Sequence, residues 1–418
     1  MTASDTGAAT AAAPSEAMSL KRWQLIALLG ALSMFAPLST DMYLPALPSL
    51  AHNLHASASA TQLTLTASML GLGGGQLLAG PLSDSFGRRR PVLLGLVAYT
   101  LSSVGCALCN DVLALSALRL VQGAAGAAGI VVARAIVRDL YDGVEAARLF
   151  SRLIVVFGMA PILAPIIGGQ LLHVTDWRGI FVVLAAIGAV LLVLGWRYLA
   201  ETLPVEARHR GGVVSTLRVL GVLIRNRSFA GLTLIYGLMF GAVFAYIAGS
   251  PFIVENIFGF SPQLFGLVFA INAAALVSVS QFGIRFISGT GPRRLAQIGL
   301  AVMAVVGALL LVGVLANVGP GLVLPCFFVL LGSYGLVSPN LTALAMAPFP
   351  QSAGSASALM GIVQFWTGAA VAPLVGLSGT HDATPTALVI AIACVTSFVV
   401  WWVSVAHRTP RTLAGEPA

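Results

Sequence analysis

Charged residues are scarce in this sequence: they make up 9% of its 418 residues, while 58% are hydrophobic. Soluble globular chains carry about 25% charged residues, so this composition excludes a soluble protein. Apolar runs of about 20 residues, the length that crosses a bilayer, recur along the whole chain. They are continuous rather than alternating, which excludes a membrane β-barrel. The sequence therefore predicts an all-α membrane protein with many spans.

Lysine is almost absent, since Lys21 is the only one. A Walker A phosphate loop needs a Gly-Lys pair, so ATP hydrolysis is not expected. Cysteine and histidine are also few. Cys106 and Cys109 stand in an apolar run with no histidine nearby, which favours simple packing over a metal or redox site. His52 and His55 form an H-x-x-H pair in a loop, where a solvated loop is favoured over a metal site. No cofactor and no metal are expected.

Twelve apolar spans can be delimited, and one long loop divides them six and six. The spans cover residues 22–47, 59–82, 91–109, 112–137, 150–173, 178–199, 229–254, 262–286, 295–315, 321–346, 354–377 and 384–405. The predicted organisation is a disordered cytoplasmic tail (1–20), a six-helix bundle (21–200), a cytoplasmic linker (201–228), a second six-helix bundle (229–406) and a cytoplasmic tail (407–418).

Basic residues fix the predicted orientation. With twelve crossings, nearly all of them fall on one side of the membrane, and Arg178 alone borders the other. The residues on the basic side include Lys21, Arg88, Arg89, Arg90, Arg138, Arg210, Arg293, Arg294 and Arg408. By the positive-inside rule both termini are cytoplasmic. The net charge of +8 is thus a topology signal and does not indicate nucleic-acid binding.

The loop after span 2 reads G-P-L-S-D-S-F-G-R-R-R. Its Gly80 and Gly87 would allow close backbone approach, Asp84 would cap the next helix or interact with its positive dipole, and Arg88 would anchor to the cytoplasmic face. A weaker counterpart, G-I-R-F-I-S-G-T-G-P-R-R, follows span 8. The offset of about half the chain predicts two parallel repeats related by an axis along the membrane normal. The alternative interpretation of the loop after span 2 is a plain basic turn that only fixes topology.

Two spans carry unusual residues for a membrane helix. Span 4 contains Arg119, and an intramembrane arginine is a functional candidate by default. The alternative is an arginine that snorkels to the interface. Span 5 reads G-M-A-P-I-L-A-P-I-I-G-G, where two prolines and two glycines would bend and thin the helix, or serve only as a packing kink. These four residues are Pro161, Pro165, Gly168 and Gly169.

Asp41 is the only acid well inside a predicted span, within L-S-T-D-M-Y-L-P-A-L-P. A carboxylate whose surroundings alternate between burial and a nearby arginine can load and release a proton. The alternative is a solvated carboxylate at a helix end. Polar and aromatic residues that could line a central cavity are Tyr43, Tyr236, Phe240, Phe244, Asn272, Asn340 and Gln364.

These motifs resemble those of the major facilitator superfamily. The loop after span 2 is similar to its gating signature, R-L-V-Q-G around Arg119 to its proton-transfer motif, and the span 5 string to its antiporter motif, with alanines where glycine is usual. The strings around Asp41, V-A-R-A-I-V-R-D-L, S-P-F-I-V-E-N-I-F-G-F-S-P and P-N-L-T-A-L-A-M-A-P-F-P resemble the Bcr/CflA subfamily of drug–proton antiporters. The resemblance extends from residue 20 to residue 405.

The resemblance implies twelve helices in two pseudo-symmetric six-helix bundles around a central cavity. It further implies a monomer in a bacterial inner membrane that exports bicyclomycin- or chloramphenicol-type drugs, conferring antibiotic resistance, in exchange for protons. Asp41 would be the coupling carboxylate and Arg119 the motif arginine. Some relatives have a second acid where Ser33 stands, so coupling would rest on one carboxylate. The alternatives are a proton symporter or a metabolite exporter of the same fold, and a membrane enzyme, for which no clustered catalytic residues are found.

Overall fold

A computed structural model describes residues 22–141, 143–208, 221, 223–349 and 353–406. This part of the chain contains twelve helices of 18 residues or more, which we number α1 to α12. They are α1 Arg22–Asp41, α2 Ala58–Phe86, α3 Arg89–Leu108, α4 Val112–Leu140, α5 Gly143–Leu171, α6 Trp177–Tyr198, α7 Arg227–Pro251, α8 Pro262–Thr290, α9 Pro292–Leu315, α10 Pro320–Met346, α11 Ala353–Val375 and α12 Thr384–Trp401.

Each predicted span coincides with one of these helices. Over the described residues, ten spans are long and apolar enough to cross a membrane, and α2 and α5 are not among them. The described apolar part of α5 is short, Met159–Leu171. The more polar α2 packs between α4 and α11, so part of its surface faces protein. The predicted all-α membrane fold is confirmed. The two tails and most of the central linker lie outside the described residues.

Local sequence explains where several helices begin. The side chains of Ser57, Asp111 and Asn226 accept hydrogen bonds from backbone N–H groups in the first turns of α2, α4 and α7. Such side chains satisfy N–H groups that have no partner within the helix. Proline occupies the first position of α9 and of α10, where its missing N–H costs nothing.

The first span differs from the prediction, because it is not one continuous helix. Helix α1 ends at Asp41, a turn follows at Met42 and Tyr43, and the chain continues as a 3-10 turn, Leu44–Ala46, and a short helix, Leu47–Asn53. Prolines 45 and 48 lack the N–H group that would donate to the preceding turn. They explain why the helix does not run on through this stretch.

The helices form two bundles with the same packing pattern. In the first bundle α1 packs on α4 and α5, α2 on α4, and α3 on α4 and α6. In the second bundle α7 packs on α10 and α11, α8 on α10, and α9 on α10 and α12. Adding six to each helix number converts one pattern into the other. Two pseudo-symmetric six-helix bundles are therefore present, as predicted for parallel repeats.

The bundles meet along two seams, α2 against α11 and α5 against α8. We call the face where α1 begins and the loop Gly87–Arg90 lies the basic face, and the other the opposite face. Hydrogen bonds between described residues join the bundles in the half nearer the opposite face. They include Ser59 to Pro373, Thr66 to Ala369, Gln62 to Ala248 and Gln263 to Gly169. The bundles are thus joined at the opposite face.

Candidate functional site at the bundle interface

Asp41 lies where α1 ends and the two bundles meet. Its residue surface is 7% exposed, so the carboxylate is buried. The 3-10 turn that follows it contacts α5 of its own bundle and α7 and α8 of the other. Within the described part of the chain, no arginine forms an ion pair with Asp41. Asp41 is therefore buried at the interface with no countercharge among the described residues, and it is not a solvated helix end.

A polar group of the second bundle, Tyr246 on α7, lies near Asp41. Its hydroxyl lies within electrostatic range of the Asp41 carboxylate and accepts a hydrogen bond from the Asn272 side-chain amide at 3.0 Å. The Tyr246 ring packs against Phe269 and Phe327, with ring centroids 5.4 Å and 4.9 Å apart. Three second-bundle helices thereby hold one hydroxyl near the acid of the first bundle.

Arg119 is fully buried in α4 and does not snorkel to a membrane surface. Its Nη1 donates to the Gln122 side chain at 2.5 Å and to the Ser39 backbone carbonyl at 3.4 Å. The guanidinium lies 5.1 Å from the Tyr43 ring centroid. Its Nε and Nη2 have no hydrogen-bond partner among the described residues. Arg119 thus contacts the backbone two residues before Asp41 and retains unused donors.

The Pro and Gly motif of α5 forms contacts with both bundles. A side chain at Gly168 would lie 2.0 Å from the Met42 backbone oxygen, in the turn after Asp41. A side chain at Gly169 would lie 2.8 Å from the Pro262 carbonyl of α8. The Pro165 carbonyl faces Gly266 in the same seam, and Pro161 lies one turn earlier within α5. The two glycines permit the backbones of α1, α5 and α8 to meet.

At the basic face, Arg88 is the centre of an ionic network. Its guanidinium donates to Asp84 at 2.5 Å, to Ser83 at 2.9 Å, and to Asp139 at 2.8 Å. Burial lowers the pKa of the Arg88 guanidinium, but its bonds to Asp139 and Asp84 outweigh burial and hold the pKa above its usual value. Asp139 at the end of α4 was not identified from the sequence, although its place beside Arg138 in a helix end is a weak signal.

The cap of α3 differs from the prediction. Asp84 lies in the last turn of α2 and pairs with Arg88, so it does not cap the next helix. The carboxylate of Glu201 accepts instead, from the backbone N–H of Arg88 at 2.7 Å and of Arg89 at 3.3 Å. Gly87 has φ +87° and passes so close to Glu201 that a side chain there would lie 2.3 Å from its Oε2. Gly80 faces open space, because nothing lies within 4 Å of its position for a side chain.

We expect Glu201→Gln to destabilise the loop at the start of α3. The carboxylate accepts hydrogen bonds from three backbone N–H groups, those of Arg88, Arg89 and Leu203. The amide keeps one acceptor oxygen and loses the charge, so at least one of these N–H groups is left without its partner. Removing a helix cap costs about 1 kcal/mol. Thermal unfolding of the purified protein should show a lower midpoint. The control is Glu206→Gln on the exposed turn Val205–Ala207. Equal midpoints for both variants would contradict this role of Glu201.

The residues predicted to line a cavity divide into two groups. Tyr43, Phe244, Asn272 and Asn340 are buried in packing. Tyr43 faces into the first bundle, where its hydroxyl lies 3.1 Å from the Thr64 hydroxyl, and its place in a substrate cavity stays a prediction. Asn340 donates to the Leu336 carbonyl of its own helix. Tyr236, Phe240 and Gln364 are half-buried and remain available to a ligand.

Comparison with known proteins decides the family. The Major Facilitator Superfamily pattern matches residues 29–373. The chain belongs to the major facilitator superfamily. Among similar sequences, an uncharacterised transporter of this superfamily, YdgK of Bacillus subtilis, is 40% identical over 86% of this chain and 90% of its own. A bicyclomycin resistance protein homolog of Haemophilus influenzae is 32% identical over 90% of this chain and 94% of its own.

The solved structures agree on the fold. The crystal structure of a D-xylose-proton symporter superposes with a TM-score of 0.73 at 17% identity, covering 91% of this chain and 96% of that one. Membership of a superfamily of transporters makes the chain a transporter and not an enzyme, and its sequence relatives are consistent with the Bcr/CflA drug-antiporter subfamily that its motifs resemble. A fold shared with a sugar symporter does not determine the direction of transport.

Proposed function

We propose that this transporter exports small-molecule drugs from the cytoplasm in exchange for protons, and that Asp41 is the coupling carboxylate. The observation that supports this most directly is the position of Asp41. The residue is buried at the end of α1, where both bundles meet, and it has no countercharge among the described residues. An unpaired buried carboxylate is expensive to keep charged, and proton uptake removes that cost. The similarity to a bicyclomycin resistance protein homolog supports a drug as the substrate.

Arg119 is the proposed partner of Asp41 in the other conformation. In this structure its Nε and Nη2 have no partner among the described residues, and its Nη1 already contacts the backbone of α1. A rearrangement of the turn at Met42 and Tyr43 would bring the carboxylate to these donors. Pairing with a cation favours the charged acid and releases the proton. Coupling then requires that drug and proton each bind the two conformations with different affinity.

The gate residues Gly80, Asp84, Gly87 and Arg88 are proposed to control the basic face. The bonds of Arg88 to Asp84, Asp139 and Glu201 join the ends of α2 and α4 to the chain after α6, and these residues all belong to the first bundle or the chain that directly follows it. It keeps these ends together as one unit while the second bundle moves. Alternating access by rocking of one bundle against the other needs such rigid units.

The proposed location is a bacterial inner membrane with both termini in the cytoplasm. Arg88, Arg89, Arg90 and Arg138 all lie at the basic face, where α1 begins. The excess of arginine supports a cytoplasmic position for this face. Since the bundles are joined at the opposite face, the conformation described here is the one that would take up drug from the cytoplasm. A monomer is the proposed functional unit.

The test is drug uptake by everted membrane vesicles, whose lumen corresponds to the cell exterior. Vesicles that contain the transporter are acidified inside and given radiolabelled chloramphenicol. Antiport predicts accumulation that collapses when the proton gradient is dissipated. A symporter would instead accumulate its substrate only with the gradient reversed, so accumulation of chloramphenicol under a reversed gradient, and not under the normal one, would contradict the proposal.

A further inference from the structure

Arg134 on α4 is a second intramembrane arginine, and it faces the other bundle. It lies 15 residues after Arg119 and about 9 Å before the end of α4 at Leu140. Its guanidinium interacts electrostatically with the hydroxyl of Tyr236 on α7. The surface of Arg134 is exposed, so this residue borders the space between the bundles on the side of the basic face.

This guanidinium has no carboxylate partner in the described part of the chain. The ion pairs found there involve Arg88, Arg178 and Arg208, and Arg134 makes none. An unpaired arginine within a membrane helix is costly and is usually retained for a functional reason. A guanidinium also offers five N–H donors in a planar fork that suits carboxylate oxygens and also donates to carbonyl oxygens. Arg134 therefore offers donors to a ligand, and the described residues supply no anion to pair with it.

The wall opposite Arg134 is aromatic. The hydroxyl of Tyr236 lies within electrostatic range of the Tyr334 hydroxyl on α10. Phe240, one turn further along α7, packs against Tyr334 and Phe365, with ring centroids 6.4 Å and 5.9 Å apart. Phe240, Tyr236 and Phe365 are half-buried, so their surfaces can contact a ligand. Aromatic faces accept flat apolar groups of many shapes. The site thus combines a permissive apolar wall with one fixed set of donors.

We propose that Arg134 selects the substrate class: compounds that carry an anionic or strongly hydrogen-bond-accepting group beside an apolar body. The acceptor oxygens bind the Arg134 guanidinium and the apolar body lies on Tyr236, Phe240 and Phe365. Lipophilic cations are disfavoured, because they meet an unpaired positive charge. This assignment rests on the proposed function, of which it specifies the substrate. The location near the basic face means that a compound from the cytoplasm meets Arg134 before Asp41.

The test is equilibrium binding to the purified full-length protein with two probes, chloramphenicol as a nitro- and carbonyl-bearing acceptor and tetraphenylphosphonium as a lipophilic cation. Arg134→Gln is expected to weaken chloramphenicol binding about tenfold, which corresponds to about 1.4 kcal/mol. It should leave tetraphenylphosphonium binding unchanged or stronger. Arg134→Lys keeps the positive charge but lacks the planar set of guanidinium donors, so it should cause an intermediate loss of chloramphenicol affinity. The control is Arg197→Gln, an exposed arginine beside Tyr198 at the end of α6, which should bind both probes as the wild type does.

Other outcomes would overturn the assignment. If Arg134→Gln weakens both probes equally, the arginine only maintains the fold. If it weakens neither, or if the wild type binds no chloramphenicol, Arg134 does not select acceptors, and its side chain only reaches toward water at the basic face. The result is separable from the proposed antiport. Wild type that binds chloramphenicol through Arg134 but moves no protons would refute antiport and leave the binding site standing.

Discussion

Asp41→Asn is expected to abolish proton-driven accumulation of drug while leaving drug binding and drug–drug exchange intact. Asparagine has nearly the same size and remains neutral, so the packing around the turn at Met42 and Tyr43 is preserved. It cannot bind and release a proton. The variant therefore resembles the transporter with Asp41 permanently neutral, and the step that needs a charged carboxylate is lost.

The measurement for Asp41→Asn compares two assays on the same proteoliposomes. Uptake against a proton gradient should fall to the level of empty liposomes, a loss of at least about tenfold. Exchange of labelled for unlabelled drug without a gradient should stay within a few-fold of the wild type. Ser33→Ala is the matched control, because Ser33 is buried in the same helix and its hydroxyl bonds only the Leu29 carbonyl among the described residues. Normal proton-driven uptake by Asp41→Asn would place coupling elsewhere.

Gly168→Ala is expected to be strongly deleterious, against the direction that helix propensity alone predicts. In a helix interior alanine is favoured over glycine by about 1 kcal/mol. At Gly168 the added carbon would lie 2.0 Å from the Met42 backbone oxygen, so the backbone of α5 or of the turn after Asp41 has to move. Overpacking of this kind typically costs 1–3 kcal/mol, which outweighs the gain in propensity. We expect transport to fall about tenfold, because the turn that holds Asp41 is displaced.

The control for Gly168→Ala is Gly74→Ala in α2. No atom lies within 4 Å of a side-chain carbon built at Gly74, so only the propensity gain remains there. Thermal unfolding should show a lower midpoint for Gly168→Ala and an unchanged or higher one for Gly74→Ala. Two variants with the same midpoint and the same transport rate would contradict the close contact between α5 and the turn after Asp41.

Much of the fold follows from the sequence because hydrophobic length and arginine placement are local signals. The twelve spans coincide with twelve helices, and the half-chain offset between the two basic loops corresponds to the repeated packing of the bundles. The break after Asp41 was not predicted, although Pro45 and Pro48 indicate it. The residues on both sides of the break are apolar, so hydropathy alone predicts a single continuous span there.

The site was only partly predictable, because its partners come from distant parts of the chain. Asp41 and Arg119 stand out as charges in apolar runs. That they do not pair in this conformation depends on the turn between α1 and the short helix that follows it. The cap of α3 by Glu201 joins residues 113 apart and leaves no local pattern. Tyr43 was predicted to face the cavity from its polarity. Because the helix ends at Asp41, the periodicity of α1 does not predict the direction of the Tyr43 side chain.

Proton release on drug addition tests the central claim most directly. Proteoliposomes with a trapped pH indicator and an acidic lumen receive chloramphenicol outside, with wild type and Asp41→Asn side by side. The account predicts that the wild-type lumen becomes less acidic as drug enters and that the lumen pH of the variant does not change. An equal response of both proteins, or entry of drug through the wild type without any change in lumen pH, would contradict drug–proton exchange through Asp41.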